Sequence, residues 1–392
     1  MSSTAPRCSV IVPTYNRARL LRLTLDSLVR QTLPPRSFEV LVVDDGSADD
    51  TAEVVREYAG RLDLRYFYQE DLGYRVAKAR NAGIAAARAE VCVFVDSGVL
   101  LGSGALAAYL AEHESRAVPV AVVGYVYCFN EDNEDGALME RAIDVRDPDA
   151  TIGELRSQGK WADIREEFYE RYTDDIGELP APWLIYWTCN VSAPTALLRR
   201  VGGFDEAFTS WGGEDVELGY RLFRGGARFV LGRDAVAIHH PHDKSYEDNV
   251  AGAAANYQYM AAKYDTPIMR LVTGNHFFAI NDVIRQRGLP SCADYLAARA
   301  AAPAATAVEI MEAVEETTGL AVVEALEAVD ADGPPAPVIA VIPASPPGAV
   351  DDDVDPVEAM AAVAGMEVVE ALAGMRTGTR AMTAGRAAGH AG

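Results

Sequence analysis

The 392-residue chain is short of thiols, of positive charge and of long apolar runs, and each shortage removes a class of protein. Its five cysteines (Cys8, Cys92, Cys128, Cys189 and Cys292) are scattered, odd in number and never spaced as a C-x-x-C pair. That pattern fits reduced thiols better than a disulfide framework or a zinc ribbon. Lys and Arg number 35 against 58 Asp and Glu, a formal charge of −23. Unspecific binding to nucleic acid or to an anionic membrane needs a basic surface, so neither is expected as a partner. The longest nearly uncharged apolar stretch, residues 117–129, is too short to span a bilayer. No charged-then-apolar segment opens the chain, and a cytoplasmic location is expected.

The acidity is uneven. Residues 301–392 hold 15 Asp and Glu against 3 Lys and Arg, so −12 of the net charge resides in the last quarter. From about residue 297 the composition shifts to Ala, Val, Glu and Pro. Two similar segment pairs recur there, 308–314 with 320–326 and 357–363 with 366–372. Each reads as an amphipathic helix, with a Pro-rich link over 333–348 and an acidic run over 351–355 between them. This region is read either as a self-association or protein-docking element or as a low-complexity tail without a packed core. Residues 376–392 are expected to be disordered.

The first 245 residues alternate strand and helix patterns. Apolar β-branched runs at 8–13, 38–43, 64–68 and 91–95 read as strands, and helical spacing follows at 19–31, 50–58, 76–88 and 104–114. Such alternation predicts an α/β chain with a mostly parallel Rossmann-like sheet flanked by helices. Further strands are expected at 118–127, 183–192, 227–231 and 235–238, and a helical extension over 246–296. In open sheets of this kind, ligands bind beyond the carboxyl ends of the strands. The polar turns 14–17 and 44–47 lie at such ends, as does Asp96-Ser97-Gly98. By itself Asp96 is read either as a group for a metal or ribose or as a turn cap.

Residues 210–217 (SWGGEDVE) open a helix with two adjacent carboxylates, Glu214 and Asp215, at its positive end. Gly212 and Gly213 allow close backbone approach, and Trp211 offers a flat face of the kind that stacks on a sugar ring. An ordinary acidic helix start reads the same way. Three of the six histidines fall at His239, His240 and His242, as either an exposed turn or metal ligands on a loop stiffened by Pro241. The charged insertion 141–182, partly helical over 161–172, has the length of a lid or an acceptor-binding loop.

Together these stretches resemble the inverting glycosyltransferases of family 2, with a GT-A (nucleotide-diphospho-sugar transferase) fold. They are most similar to the soluble chondroitin-polymerase type, whose last third is galactosyltransferase-like. The matching pieces are 10–17 (VIVPTYNR), 42–47 (VVDDGS), 69–75 (QEDLGYR) with 79–83 (ARNAG), 202–206 (GGFDE) and 211–215 (WGGED). They stand in family order over roughly residues 8–245. The resemblance implies a UDP-sugar donor whose nucleotide is bound by Pro13, Thr14, Tyr15, Arg17, Asp44, Asp45, Arg75, Arg80, Asp96 and Ser97. It makes Asp215 the general base, with Glu214, Trp211, Gly213 and Asn190 at the acceptor or donor sugar. The acceptor is a glycan, a lipid-linked sugar or a small molecule.

One departure stands out. Gly98 replaces the second Asp of the family's Asp-x-Asp, so a divalent metal (Mn²⁺ or Mg²⁺) is expected on Asp96 with His239 or His242. The same departure supports an alternative, a catalytically inactive sugar-nucleotide-binding or scaffold protein.

Overall fold

A computed structural model describes residues 5–130 and 132–301, together with two short strands further on. The chain divides into two units, residues 1–297 and 298–392. The first is built on eight strands: β1 (Cys8–Thr14), β2 (Phe38–Asp44), β3 (Leu64–Tyr68), β4 (Val91–Val95), β5 (Val99–Leu101), β6 (Val120–Tyr127), β7 (Asn190–Pro194) and β8 (Arg228–His239). They form one sheet in the order β3-β2-β1-β4-β7-β6-β8-β5. The β1, β2, β3 and β4 pairings are parallel, as is β6 with β8, whereas β7 runs antiparallel to both β4 and β6. The α/β architecture expected from the sequence is therefore the one adopted.

The strands read as unbroken apolar runs because both faces of the sheet are covered. Alternate residues enter opposite cores. Val10, Val12, Val40, Val42, Val93 and Val95 pack under the helices Ala18–Val29, Thr51–Tyr58 and Ala105–Glu114. Ile11, Leu41, Cys92 and Phe94 face the other core, shared with Trp183, Tyr186, Leu218 and Leu222. All five cysteines are buried and unpaired. Among the described residues no helix is long and apolar enough to cross a membrane.

Three local expectations need correction. The run 183–192 is not one strand. Pro182 opens a short 3₁₀ turn, Pro182–Ile185, and β7 begins only at Asn190. A buried apolar run has no periodicity that separates strand from buried turn. The two short strands at 227–231 and 235–238 are one strand, β8, interrupted where Gly124 pairs with Gly232 but Tyr125 pairs with Val236. The extra residues form a bulge that redirects the strand toward His239. Val99–Leu101, too short to show a pattern, adds an edge strand against β8.

In the second unit, residues expected in a helix and a Pro-rich link instead form an antiparallel pair, Val322–Ala328 with Ala336–Val341. The β-branched Val322, Val323, Val338, Ile339 and Val341 favour a pleated backbone over a helix. The expected segments 308–314, 357–363 and 366–372, and the proposed docking role of the tail, lie outside the described residues.

Candidate active site

At the carboxyl ends of β1 and β2 the two polar turns are stapled together. The Asp45 N–H donates to the Thr14 carbonyl at 2.9 Å, the Asn16 N–H to Ser47 Oγ at 2.8 Å, and the Ala48 N–H to Asn16 Oδ1 at 2.8 Å. Asp44 shapes the turn: it accepts from the Gly46 and Ser47 N–H groups and from the Tyr66 hydroxyl at 3.1, 2.8 and 2.6 Å, and it is 1% exposed. Asp45 accepts from Gln69 Nε2 at 2.5 Å and from the Arg75 N–H at 2.8 Å, and the Arg75 guanidinium lies 3.3 Å from it. The 69–75 loop is thereby drawn over the turn. Tyr15 is exposed and donates its hydroxyl to Asp71 at 2.9 Å. Thr14 Oγ1 is buried without a partner, and Ser97 Oγ donates to the Pro13 carbonyl at 2.9 Å. Tyrosine, buried carboxylate and arginine brought together at these turns offer the stacking face and polar groups that a nucleobase needs.

Asp96 ends β4 and Glu214 opens the helix Glu214–Arg224. They are joined by Arg80, which donates to Asp96 Oδ1 at 2.9 Å and to Glu214 Oε1 at 2.8 Å while only 3% exposed. Arg80 also lies over the Phe204 ring, 5.3 Å from its centroid. Two acids offset the charge of a buried guanidinium that would otherwise be costly, although its Nε has no hydrogen-bond partner. Sequence placed Arg80 beside the nucleotide; the structure makes it the bridge between two acids.

Gly212 and Gly213 have φ of +93° and +92°, conformations that an L side chain rarely adopts. Gly213 thus turns the chain abruptly into the helix and leaves Glu214 and Asp215 on its first turn. Asp215 is half-buried, and its Oδ2 accepts from the Thr188 N–H at 3.1 Å and Oδ1 from its own helix at Val216 N–H, 2.8 Å. Removal from water, then the Glu214 carboxylate, push its pKa up to about 7 against the pull of Arg80. Glu214 is 5% exposed and its Oε2 has no hydrogen-bond donor. Trp211 stands exposed beside this pair.

Gly98 has φ of +102°, so the turn that follows Asp96 is shaped for a residue without a side chain. Its carbonyl accepts from the His240 N–H at 2.9 Å, and Val99 pairs with His239 across β5 and β8. This register delivers the histidine cluster next to Asp96. The His239 and His242 rings stack 5.2 Å apart, and Phe129 meets His239 edge-on at 4.9 Å. Burial, with Lys244, His242 and Arg17 nearby, holds His239 well below the ordinary imidazole range. His242 is lowered to about 4 by burial and Arg17, although Asp96 acts in the other direction.

Both rings are therefore neutral, the state that ligates a metal, and His239 Nδ1 is buried with no partner. These donors fit a divalent cation. Among the described residues no three His, Cys, Asp or Glu side chains converge to hold one by themselves. A nucleotide diphosphate would have to complete the coordination.

Asn190 does not belong to this site. It is fully buried, accepts from the Tyr109 hydroxyl at 2.9 Å and donates to the Ala235 and Tyr125 carbonyls at 2.8 and 3.4 Å. Its amide joins β7 to β6 and to the bulge of β8, which leaves nothing for an acceptor. Two residues that sequence reasoning passed over enter the site. Thr188, hidden in a run read as strand, orients Asp215. Tyr74, inside the 69–75 motif, is 40% exposed, but its hydroxyl end loses water and faces Glu214, Asp96 and Asp215, which raise it above the phenol range against the pull of Arg80.

Residues 9–169 match the model for glycosyl transferase family 2, and residues 178–241 that for the N-terminal domain of galactosyltransferase. Over 289 residues the chain is 40% identical to validoxylamine A glucosyltransferase of two Streptomyces hygroscopicus strains, subsp. limoneus and subsp. jinggangensis. The alignments cover 73% of this chain and 64% and 68% of those proteins. Chondroitin synthase of Escherichia coli is 32% identical over 266 residues, 65% of this chain and 38% of that one. Among solved structures, the mannosyltransferase PcManGT of Pyrobaculum calidifontis in complex with GDP-Man and Mn²⁺ matches at a TM-score of 0.46 and 23% identity, covering 79% of each chain. The fold is GT-A, and the chain belongs to glycosyl transferase family 2.

Proposed function

We propose that this glycosyltransferase moves a sugar from a UDP donor to an acceptor hydroxyl in a single inverting displacement, with Asp215 as general base. The observation that carries the reading is the carboxylate of Asp215. It is held by two backbone N–H groups and raised to about 7 beside Glu214, the carboxylate that Arg80 ties to Asp96 at the donor turns. A base near neutral pH takes the acceptor proton as the oxygen attacks the anomeric carbon. One displacement from the face opposite the leaving nucleotide needs no covalent nucleophile.

On the donor side, Tyr15, Asp45 and Arg75 would enclose the uracil, and Pro13, Thr14 and Ser97 the nucleoside. Arg17 lies near the histidines, where it would meet the diphosphate. Asp96 with His239 or His242 would hold Mn²⁺ or Mg²⁺. When bound, that ion supplies positive charge to the departing diphosphate. Trp211 and Gly213 would receive the acceptor ring, and Glu214 Oε2, buried and without a donor, is available to a sugar hydroxyl. Soluble activity in the cytoplasm is part of this proposal, as is a glycan, lipid-linked or small-molecule acceptor.

The name of the 40% identical relatives supports glucose as donor and validoxylamine A as acceptor as the first candidates to test. The test is UDP release from a panel of UDP-sugars, with and without Mn²⁺ and with validoxylamine A as acceptor, against Asp215→Asn as the blank. Release equal to the blank across the panel would sink the reading. It would favour instead the inactive sugar-nucleotide-binding protein that Gly98 in place of a second Asp suggests.

A further inference from the structure

The loop that presents Trp211, Glu214 and Asp215 has little to hold itself. Gly212 and Gly213 are consecutive residues with positive φ and no side chains, the backbone with the most freedom to lose on ordering. Its rigidity must come from outside. The helix Tyr246–Tyr264 supplies it. From that helix the Asn256 amide, 8% exposed, donates Nδ2 to three successive carbonyls, those of Ser210, Trp211 and Gly212, at 3.2, 3.4 and 2.7 Å. Its Oδ1 accepts from Ser210 Oγ at 3.3 Å. No neighbour on the same loop could satisfy three carbonyls that point to one place.

The surrounding fit is close. A Cβ on Gly212 would come within 3.0 Å of Ala253, one on Gly213 within 3.2 Å of the Tyr257 ring, and one on Gly252 within 3.2 Å of the Trp211 carbonyl. Two turns further along, Lys263 reaches Glu217 at 2.7 Å and Tyr264 bonds to the same carboxylate, pinning the helix that carries the acid pair.

We propose that Asn256 is a positioning residue of the transfer reaction: it clamps residues 210–213 from the adjoining helix and thereby fixes the acceptor platform and the base. This assigns the helical extension a part in the site instead of a purely packing role, and it rests on the functional reading above.

The test compares wild type with Asn256→Ala and with the isosteric Asn256→Asp, which turns a carboxylate toward the three carbonyls. Hydrogen exchange over residues 208–217 is expected to quicken about tenfold or more, with exchange in the central sheet unchanged. UDP affinity should stay as in wild type. UDP release from UDP-glucose should fall at least about tenfold, toward the roughly hundredfold loss that a 1 Å misplacement brings. The acid limb of its pH profile should move as Asp215 leaves the Thr188 N–H.

A merely structural role would lower the melting temperature and leave the limb in place, and that result overturns the proposal, as does unchanged exchange in the loop. If Asn256→Ala does not fold, Gly252→Ala presses the same interface through its added methyl; unaltered exchange and turnover there would also overturn it. A wild type that releases no UDP from any UDP-sugar refutes the functional reading alone, because the exchange measurement still decides the clamp.

Discussion

Two buried glutamates at different places in the sheet unit differ in how much of their hydrogen-bonding capacity the fold uses. Glu39, on β2, is fully buried and has four donors: Ser9 Oγ and the Arg88 N–H on one oxygen at 2.6 and 2.7 Å, Arg65 Nη2 and Arg88 Nε on the other at 2.6 and 2.8 Å. Burial raises its pKa, but these bonds outweigh burial, and the net shift is downward. Glu214 is equally hidden, yet only Oε1 is engaged, by Arg80. Among the described residues its Oε2 is the one buried carboxylate oxygen without a donor. A saturated carboxylate has no capacity left for a ligand. An unsaturated one costs stability until something binds, which marks the place where binding is expected.

The sharpest test of this contrast lies next to Glu214. Asp215→Asn is expected to lower turnover by about two orders of magnitude, the contribution of a positioned base, with UDP affinity kept. The base works only when deprotonated. In wild type kcat/KM should therefore rise with pH through about 7, the value to which burial and Glu214 bring Asp215. The Asn variant should lose that limb. Glu214→Gln removes the like charge that helps raise Asp215, so the limb should move to lower pH. Glu214, Arg80, Tyr74, Tyr186 and Cys189 are the charged or titratable neighbours that interact with this group. A limb that stays in place in Glu214→Gln would break the pairing of the two acids.

At Glu39 the effect should appear in stability and not in turnover. Glu39→Ala is expected to cost about 2–3 kcal/mol in urea unfolding. This is below the roughly 3–5 kcal/mol of a fully buried ion pair, because Arg65 and Arg88 reach water. The sign with pH is fixed by the lowered folded-state pKa. The contribution is fully present above the unfolded value and disappears as pH falls through the folded one. The gap between wild type and Glu39→Gln should accordingly narrow on acidification. UDP release at neutral pH should not change, and a large loss of activity would show that the two carboxylates are not independent.

Adding an acid at the site end is expected to fail for a backbone reason. Gly98→Asp restores the family's second carboxylate in composition but sets a side chain at φ +102°, with its Cβ 3.4 Å from Leu20. A loss of about 1–2 kcal/mol is expected from that backbone conformation. Mn²⁺-dependent UDP release should not improve. Improvement would mean that the turn relaxes and that His239 and His242 are dispensable.

The sheet end that carries the proposed site was legible in sequence because its residues are neighbours along the chain. The turns at 14–17 and 44–47 end apolar runs, and Trp211 to Asp215 form one stretch. What stayed hidden acts across distance. Asn256 reaches carbonyls 44 to 46 residues away, and Arg80 reaches Glu214 across 134. Thr188 was concealed because a buried 3₁₀ turn and a strand share the same apolar composition. Asn190 was misplaced because a polar residue in an apolar strand signals a partner without naming it, and here the partners are Tyr109 and two carbonyls. Glu39 carried the same signal in β2: a charge within an otherwise apolar strand implies a buried counter-charge, though not which arginine supplies it.

The smallest effect is expected from the largest deletion. Residues 1–297 and 298–392 separate into two units. Both glutamates, the nucleotide turns, the histidines and the helix Tyr246–Tyr264 all fall in the first. Removing residues 302–392 takes away all of the acidic excess of the last quarter while leaving the helix Cys292–Ala301 whole. Physiological salt weakens repulsion between exposed charges, so at most a small response is expected from the site's electrostatics. The truncated protein should keep its melting temperature and its UDP release within error, and the acid limb near 7 should not move. A shifted limb would tie the tail's carboxylates to Asp215; a lost fold would show that the sheet unit depends on residues past its own last helix.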